Sequence, residues 1–160
     1  MTVGPAPRHE PRWLDASEQA VWRSYLDVSR LLSDRLQRRL VEDANLSLAE
    51  YEIMVQLSET DGRRLRMSEL ADRAVNSRSR LTHTVARMEE RGLVRREACP
   101  EDGRGVLCVL TDEGFAVLDA AAADHVETVR ESIFDVLSAA EVAALGAAMN
   151  KVRAGLRRTP

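Results

Sequence analysis

The sequence predicts a mainly α-helical fold carrying one small antiparallel β wing, and three observations predict it. Apolar residues recur at steps of three and four over most of the 160 residues, the period of helices that bury one face. Three pairs with capping-box spacing, Asp15–Glu18, Ser47–Glu50 and Ser138–Glu141, mark helix starts, because each side chain of such a pair satisfies the other's orphan amide. Around Pro100–Gly105 the period changes: Leu93–Cys99 and Val106–Leu110 read as two strands, and the Pro, Asp and Gly between them supply the turn.

Taken in order, residues 1–14 begin with three prolines and a glycine within twelve positions and read as a disordered arm. A helix beginning near Asp15 or Ser17 runs to about Asp43, its apolar stripe being Val21, Trp22, Tyr25, Val28, Leu32, Leu36 and Leu40. Residues 15–46 are assigned to a dimerisation helix. Residues 47–114 form the next block. Ser47 opens a helix over Tyr51, Ile53, Met54 and Leu57 that stops before Asp61-Gly62, and Leu65-Arg66-Met67 is an extended piece able to pair with the wing as a third strand. In residues 115–160 two helices follow. The stripe of the first is Leu118, Ala122, His125, Val129, Ile133 and Val136; that of the second is Val142, Leu145, Met149, Val152 and Leu156. The last five alternate steps of three and four, a seam suited to helix–helix packing. One small domain cannot bury all these stripes, so the first helix and the last two are expected to bury each other and a second subunit, the alternative being a monomeric bundle.

The chemistry sits in the middle. Ser68–Ala74 reads as a two-turn helix capped by Ser68, Val75-Asn76-Ser77 as a tight turn, and Ser77–Gly92 as a longer helix that Ser77 caps and Gly92 ends. In that longer helix Leu81, Val85 and Met88 form one apolar stripe, with Ser79, His83, Ala86 and Arg87 roughly opposite and Arg78, Arg80 and Thr82 on the flanks. Arginine's planar fork binds guanine bidentately, Ser and Thr reach base edges or phosphates, and an α-helix fits the DNA major groove. A short helix, a turn and a longer helix with a polar face is the helix-turn-helix arrangement, here followed by a wing. Arg104 at the wing tip is placed to enter a neighbouring minor groove. A solvated charged face is the bland alternative for the helix alone.

Charge is distributed to match. Net charge is −3, yet residues 63–104 carry +4 and the remainder −7, the footprint of a localised phosphate-binding surface. With no apolar run near 18 residues and no signal-peptide core, the chain is expected to be cytoplasmic and nucleoid-associated. Two cysteines are too few for a zinc site or a disulfide framework, and no cofactor motif is present. If the hairpin is centred on Asp102–Gly103, Cys99 and Cys108 are diagonal neighbours, which leaves a redox-responsive regulator as an alternative. An enzyme is argued against by the absence of His-Glu-x-x-His, Gly-x-Ser-x-Gly and phosphate-loop patterns. A winged helix serving only protein interactions would predict a neutral outer face, whereas residues 77–96 hold six Arg against two Glu.

The texts MSELADRA, LTHTVARMEERGLVRRE and PEDGRGVLCVLTDEG resemble the bacterial MarR family of winged helix-turn-helix regulators over about residues 20–155. Asp102-Gly-Arg104 matches the family's wing-tip Asp-x-Arg, and Leu110-Thr111-Asp-Glu-Gly114 its Leu-Thr-x-x-Gly. The resemblance implies a homodimer with interlocking first and last helices. It also implies a repressor, less often an activator, that binds a palindromic operator in double-stranded DNA and is released by a small aromatic or phenolic effector. Carried over by position, Arg104 is the minor-groove arginine and Asp102 holds it. Ser77, Arg78, Ser79, Thr82, His83 and Arg87 face the major groove or its phosphates. Arg80, Arg95 and Arg96 suit backbone contacts, and Ser68 joins the DNA-facing set. The wing departs from the pattern in flanking Arg104 with Gly103 and Gly105, where members often carry bulkier or basic residues. For the effector, Trp13, Trp22, Tyr25 and Tyr51 could stack on a flat ligand with Arg23 or Arg96 meeting a carboxylate, but the favoured reading of Trp22 and Tyr25 is dimer-interface core. Redox sensors of the family use a cysteine near the amino terminus, and none precedes Cys99 here.

Overall fold

Helix α1, Ala16–Ala44, starts where Asp15 caps it: the Asp15 amide donates to Glu18 Oε2 at 2.9 Å and the Glu18 amide to Asp15 Oδ1 at 2.8 Å. The computed structural model describes residues 11–73, 78–100, 103 and 105–158. It divides into two compact units, Met1–Leu32 and Ser33–Pro160, with α1 passing from one to the other. In the first unit Val21, Trp22, Tyr25, Leu26, Val28 and Leu31 are all exposed, and the Trp22 and Tyr25 rings stack with centroids 5.7 Å apart.

The second unit holds the core. Asn45 ends α1 at φ 51°, a conformation Asn tolerates because its short side chain bonds locally. Ser47 then caps α2, Leu48–Ser58, through the complete capping box with Glu50 that its spacing predicts. Strand β1, Arg64–Arg66, runs straight into α3, Met67–Arg73. Ser68 therefore lies inside the first turn of α3 and is not its cap, because the strand ends one residue too late to leave room for one. Helix α4, Arg78–Glu90, leads through Gly92 into β2, Val94–Ala98, which returns as β3, Val106–Leu110. The turn expected at Val75–Ser77, with its Ser77 cap, lies outside the described residues.

The three strands form one antiparallel sheet in the order β1-β3-β2, so Leu65–Arg66 does supply the third strand. The wing register differs by one residue from the expected one: Arg96, not Glu97, faces Cys108, and Cys99 donates its amide to Gly105 O at 2.8 Å. A slip of one reverses faces. Cys108 thus joins the main core with Leu65 and Leu110, while Cys99 lies on the other face with Leu107 and Val109. An intramolecular disulfide between them is ruled out.

Helix α5, Asp112–Val129, is capped by Thr111 and ends in a single π turn, Arg130–Phe134. Its buried positions are Gly114, Leu118, Ala121 and Thr128, and Val136, expected on the same stripe, is 70% exposed. The helical segment is over at Phe134, so Val136 lies in the turn that follows and not on the stripe. Helix α6, Ala139–Arg158, begins at the third capping box, with the Ser138 amide and hydroxyl donating to Glu141 at 2.8 and 2.7 Å. Its seam residues Leu145, Met149, Val152 and Leu156 are exposed. Around α2 the core gathers Leu46, Met54, Leu57, Leu70, Val85 and Met88, each fully buried and each worth about 1.5–3 kcal/mol of transfer free energy at that depth.

Candidate nucleic-acid interface

Helix α4 divides as its wheel predicts. Leu81, Val85 and Met88 are buried, whereas Ser79, Arg80, Thr82, His83 and Arg87 are exposed and Ala86 is half-buried. Ser68 is exposed near the start of α3. The inner stripe fixes which face turns outward, since rotating the helix would expose three fully apolar side chains. Ser77, Asp102, Arg104 and the Arg78 side chain lie outside the described residues.

The carboxyl end of α4 is tied down on three sides. Gly92, at φ 72°, closes a Schellman motif: its amide donates to Glu89 O at 3.0 Å and the Leu93 amide to Met88 O at 3.0 Å. Arg91 reaches 41 residues back to Glu50 Oε1 at 3.4 Å and donates to Asn45 O at 2.8 Å. Glu50 is itself buried, so the carboxylate that caps α2 also anchors α4. On the third side the Thr111 hydroxyl lies 2.7 Å from Gly92 O and 3.0 Å from Leu93 O, and the Thr111 amide donates to Leu93 O at 3.1 Å. The same hydroxyl oxygen accepts from the Gly114 amide at 2.9 Å. Gly114 admits this approach, because a Cβ there would lie 2.0 Å from Leu93 O. The Leu-Thr-x-x-Gly text is therefore a joint that docks α5 on the root of the wing.

Several arginines of the basic middle are committed within the chain. Arg63 lies 3.7 Å over the Phe115 ring and 3.3 Å from Asp112. Arg95 pairs with Glu97 at 2.6 Å, and Arg96 with Glu89 at 2.6 Å. Arg96 donates to Glu89 through both side chain and amide, which holds the Glu89 carboxyl below its ordinary range and pushes the Arg96 guanidinium up. The two pairs within residues 63–104 are already cancelled in the +4, whereas Arg63 and Arg91 pair with Asp112 and Glu50 outside that stretch and so lower the charge offered to phosphates. Neither Glu89 nor Arg91 carries a sequence signal for its role, because the partners sit on different elements: Glu89 on α4 and Arg96 on β2, Arg91 beyond α4 and Glu50 on α2.

The aromatic residues named for a ligand differ in exposure. Tyr51 is buried in the core, its ring centroid 4.2 Å from that of His125, so it offers no open face to a flat ligand. Trp13 is 85% exposed, and Arg23 lies 3.4 Å from Gln19 Oε1. Burial lowers the His125 pKa and raises that of Tyr51, and His125 Nδ1 is buried without a hydrogen-bond partner. Between α2 and α4 a groove of about 480 Å³ is lined by Ile53, Gln56, Arg80, His83, Thr84 and Arg87 among others. Burial pushes the Cys108 thiol up to about 12. Among the described residues, no group of three or more His, Cys, Asp or Glu could hold a metal ion, and no single helix is long and apolar enough to cross a membrane.

Comparison with known proteins agrees with this geometry. The sequence model of the MarR family matches residues 46–106. The HTH-type transcriptional regulator PecS of Dickeya dadantii is 31% identical over 125 residues, 78% of this chain and 75% of that protein. The transcriptional regulator HosA of Escherichia coli is 33% identical over 119 residues, 74% of this chain and 86% of HosA. Among solved structures, Sco3205, a MarR family transcriptional regulator from Streptomyces coelicolor in complex with DNA, is 49% identical, covers 95% of both chains and superposes with a TM-score of 0.89. AbsC, a MarR family regulator from the same organism, is 41% identical over 92% of this chain and 99% of its own, with a TM-score of 0.85.

Proposed function

The chain belongs to the MarR family of transcriptional regulators, and from that premise we propose that it is a repressor that binds a palindromic operator as a homodimer. The observation that carries this is the outward face of α4, where Ser79, Thr82, His83 and Arg87 stand exposed over a fully buried inner stripe. In each subunit α4 enters the major groove, where Arg87 reads guanine and Ser79, Thr82 and His83 meet base edges or phosphates. Ser77, Arg78 and Arg80 contact the flanking backbone, Ser68 approaches it from α3, and Arg104, steadied by Asp102, enters the minor groove beside it. Sco3205, solved with DNA, supports this role by its likeness over nearly the whole chain.

The second subunit covers the apolar residues that each chain leaves exposed, namely Val21, Trp22, Tyr25 and Val28 on α1 and Leu145, Met149, Val152 and Leu156 on α6. Residues 15–46 and 115–160 are then the dimerisation segments and 47–114 the DNA-binding block. A small aromatic or phenolic molecule releases the DNA, with the two tryptophans, Trp13 and Trp22, as the fluorescent reporters of its binding. The test is a gel shift with the DNA upstream of the protein's own gene, run beside a sedimentation measurement. A dimer that retards this fragment at concentrations leaving a scrambled duplex free is the expected outcome. A monomer, or equal retardation of both duplexes, overturns the proposal. Salicylate that neither quenches Trp fluorescence nor restores free DNA removes the effector from it.

A further inference from the structure

One side-chain pair joins the two elements assigned to the DNA grooves, and its geometry is more specific than a surface ion pair requires. Strand β2 is an edge strand of the sheet, so alternate amides along it point away from β3 and need another partner. Arg96, the middle residue of β2, faces Cys108 across the ladder, and its amide is one of these: it donates to Glu89 Oε1 at 2.9 Å. The Arg96 side chain folds back to the same carboxylate, with Nε 2.8 Å and Nη2 2.6 Å from Glu89 Oε2. Glu89 stands on the last turn of α4. Both oxygens of one carboxylate on the reading helix thus grip backbone and side chain of one residue in the wing. An ordinary exposed ion pair fixes nothing, because either long side chain can swing away. Here the backbone bond to Oε1 sets the position of the strand itself, and the two guanidinium donors converging on Oε2 set its orientation.

We propose that Glu89 and Arg96 are positioning residues that hold the wing at a fixed angle to α4, so that reading helix and wing tip enter adjacent grooves together, and that Arg96 is not a phosphate contact. The inference rests on the assignment of α4 and the wing to DNA. Its consequence is a separation of effects. A phosphate contact contributes to every duplex alike and to the salt slope, about 0.9 per contact. A positioning pair contributes only where both grooves must be met in register, hence to specific binding, and leaves the slope alone.

The experiment compares wild type with Glu89→Gln and Arg96→Gln by fluorescence anisotropy, on the upstream fragment and on a random duplex, at several salt concentrations. Without DNA, amide hydrogen exchange of Arg96 is followed in wild type and Glu89→Ala. Both Gln variants are expected to weaken specific binding about tenfold, the scale of one charge-assisted hydrogen bond, with random-duplex affinity and salt slope unchanged. The Arg96 amide is expected to exchange faster in Glu89→Ala. Arg96→Gln lowering the slope by about 0.9 and weakening both duplexes equally would make Arg96 a phosphate contact. Tighter binding by Glu89→Gln would say the same. A lower Tm with an unchanged specificity ratio in the folded fraction reduces the pair to a structural role and overturns the proposal. Should wild type bind neither duplex, the DNA assignment itself fails, and the proposal with it. The exchange rates then still report whether Glu89 holds the Arg96 amide.

Discussion

Gly114→Ala is the substitution whose cost can be worked most directly from the structure. The new Cβ would lie 2.0 Å from Leu93 O, 2.9 Å from Leu93 C and 2.8 Å from Leu110 Cδ1, where ordinary contact begins at 3.4 Å. The offending atoms are mainly backbone, so no rotamer change relieves them; the start of α5 and the root of the wing must part by more than 1 Å. That movement breaks what the joint is made of, since Thr111 bonds Leu93 O through its amide and lies within hydrogen-bond reach of Leu93 O and Gly92 O through its hydroxyl. Overpacking costs about 2 kcal/mol and the lost N-cap about 1 kcal/mol. For a chain of this size the sum lowers Tm by about 6–12 °C. The assay is thermal unfolding followed by circular dichroism, with Gly146→Ala as the matched control. A methyl at Gly146 meets nothing of its own chain within 4 Å, and in a helix interior it is neutral or stabilising by about 0.5–1 kcal/mol. If Gly114→Ala melts within about 2 °C of wild type, the joint is not close-packed and the reasoning fails.

Other outcomes follow from single groups. Arg104→Ala is expected to weaken binding to all duplexes and to reduce the salt slope by about one unit, and an unchanged slope would remove Arg104 from the minor groove. Because the Cys108 thiol is buried and pushed up to about 12, it should resist alkylation at pH 8 until the protein unfolds. The double variant Cys99→Ser, Cys108→Ser should bind DNA under peroxide as wild type does, and a large change would restore the redox alternative. His125 carries a pKa lowered by burial, so the unfolded state binds its proton first. Stability from this group is present above the ordinary value of 6.5 and is lost as pH falls through the lowered one. Tm should therefore drop between pH 7.5 and 5, and His125→Phe, which keeps a ring against Tyr51, should flatten that dependence; an equal slope in both proteins would contradict it.

What could be read in advance follows the range of the interactions. The three capping boxes form where their spacing puts them, because a box needs only residues three apart. The inner stripe of α4 is equally local: Leu81, Val85 and Met88 leave the helix only one way to face the core. Register in the wing was missed by one residue, since the turn residues at 100–105 allow more than one turn centre and the strands bury residues on both faces. Ser68 misled because a Ser before an apolar run suggests a cap, whereas β1 passes into α3 with no intervening residue. The π turn at Arg130–Phe134 has no side-chain signature in the sequence. The ties of Arg91 to Glu50 and of Arg96 to Glu89 are tertiary. No periodicity announces them, and the sequence pointed to Arg96 as a cation for DNA when its fork is turned to Glu89.

The most direct measurement is a hydroxyl-radical footprint of the protein on the DNA upstream of its own gene. Two symmetric protected tracts are expected, centred about 34–36 Å apart along the duplex, as paired reading helices in successive major grooves require. A single tract, or uniform weak protection along the whole fragment, would contradict the central claim that two copies of α4 read the two halves of one site.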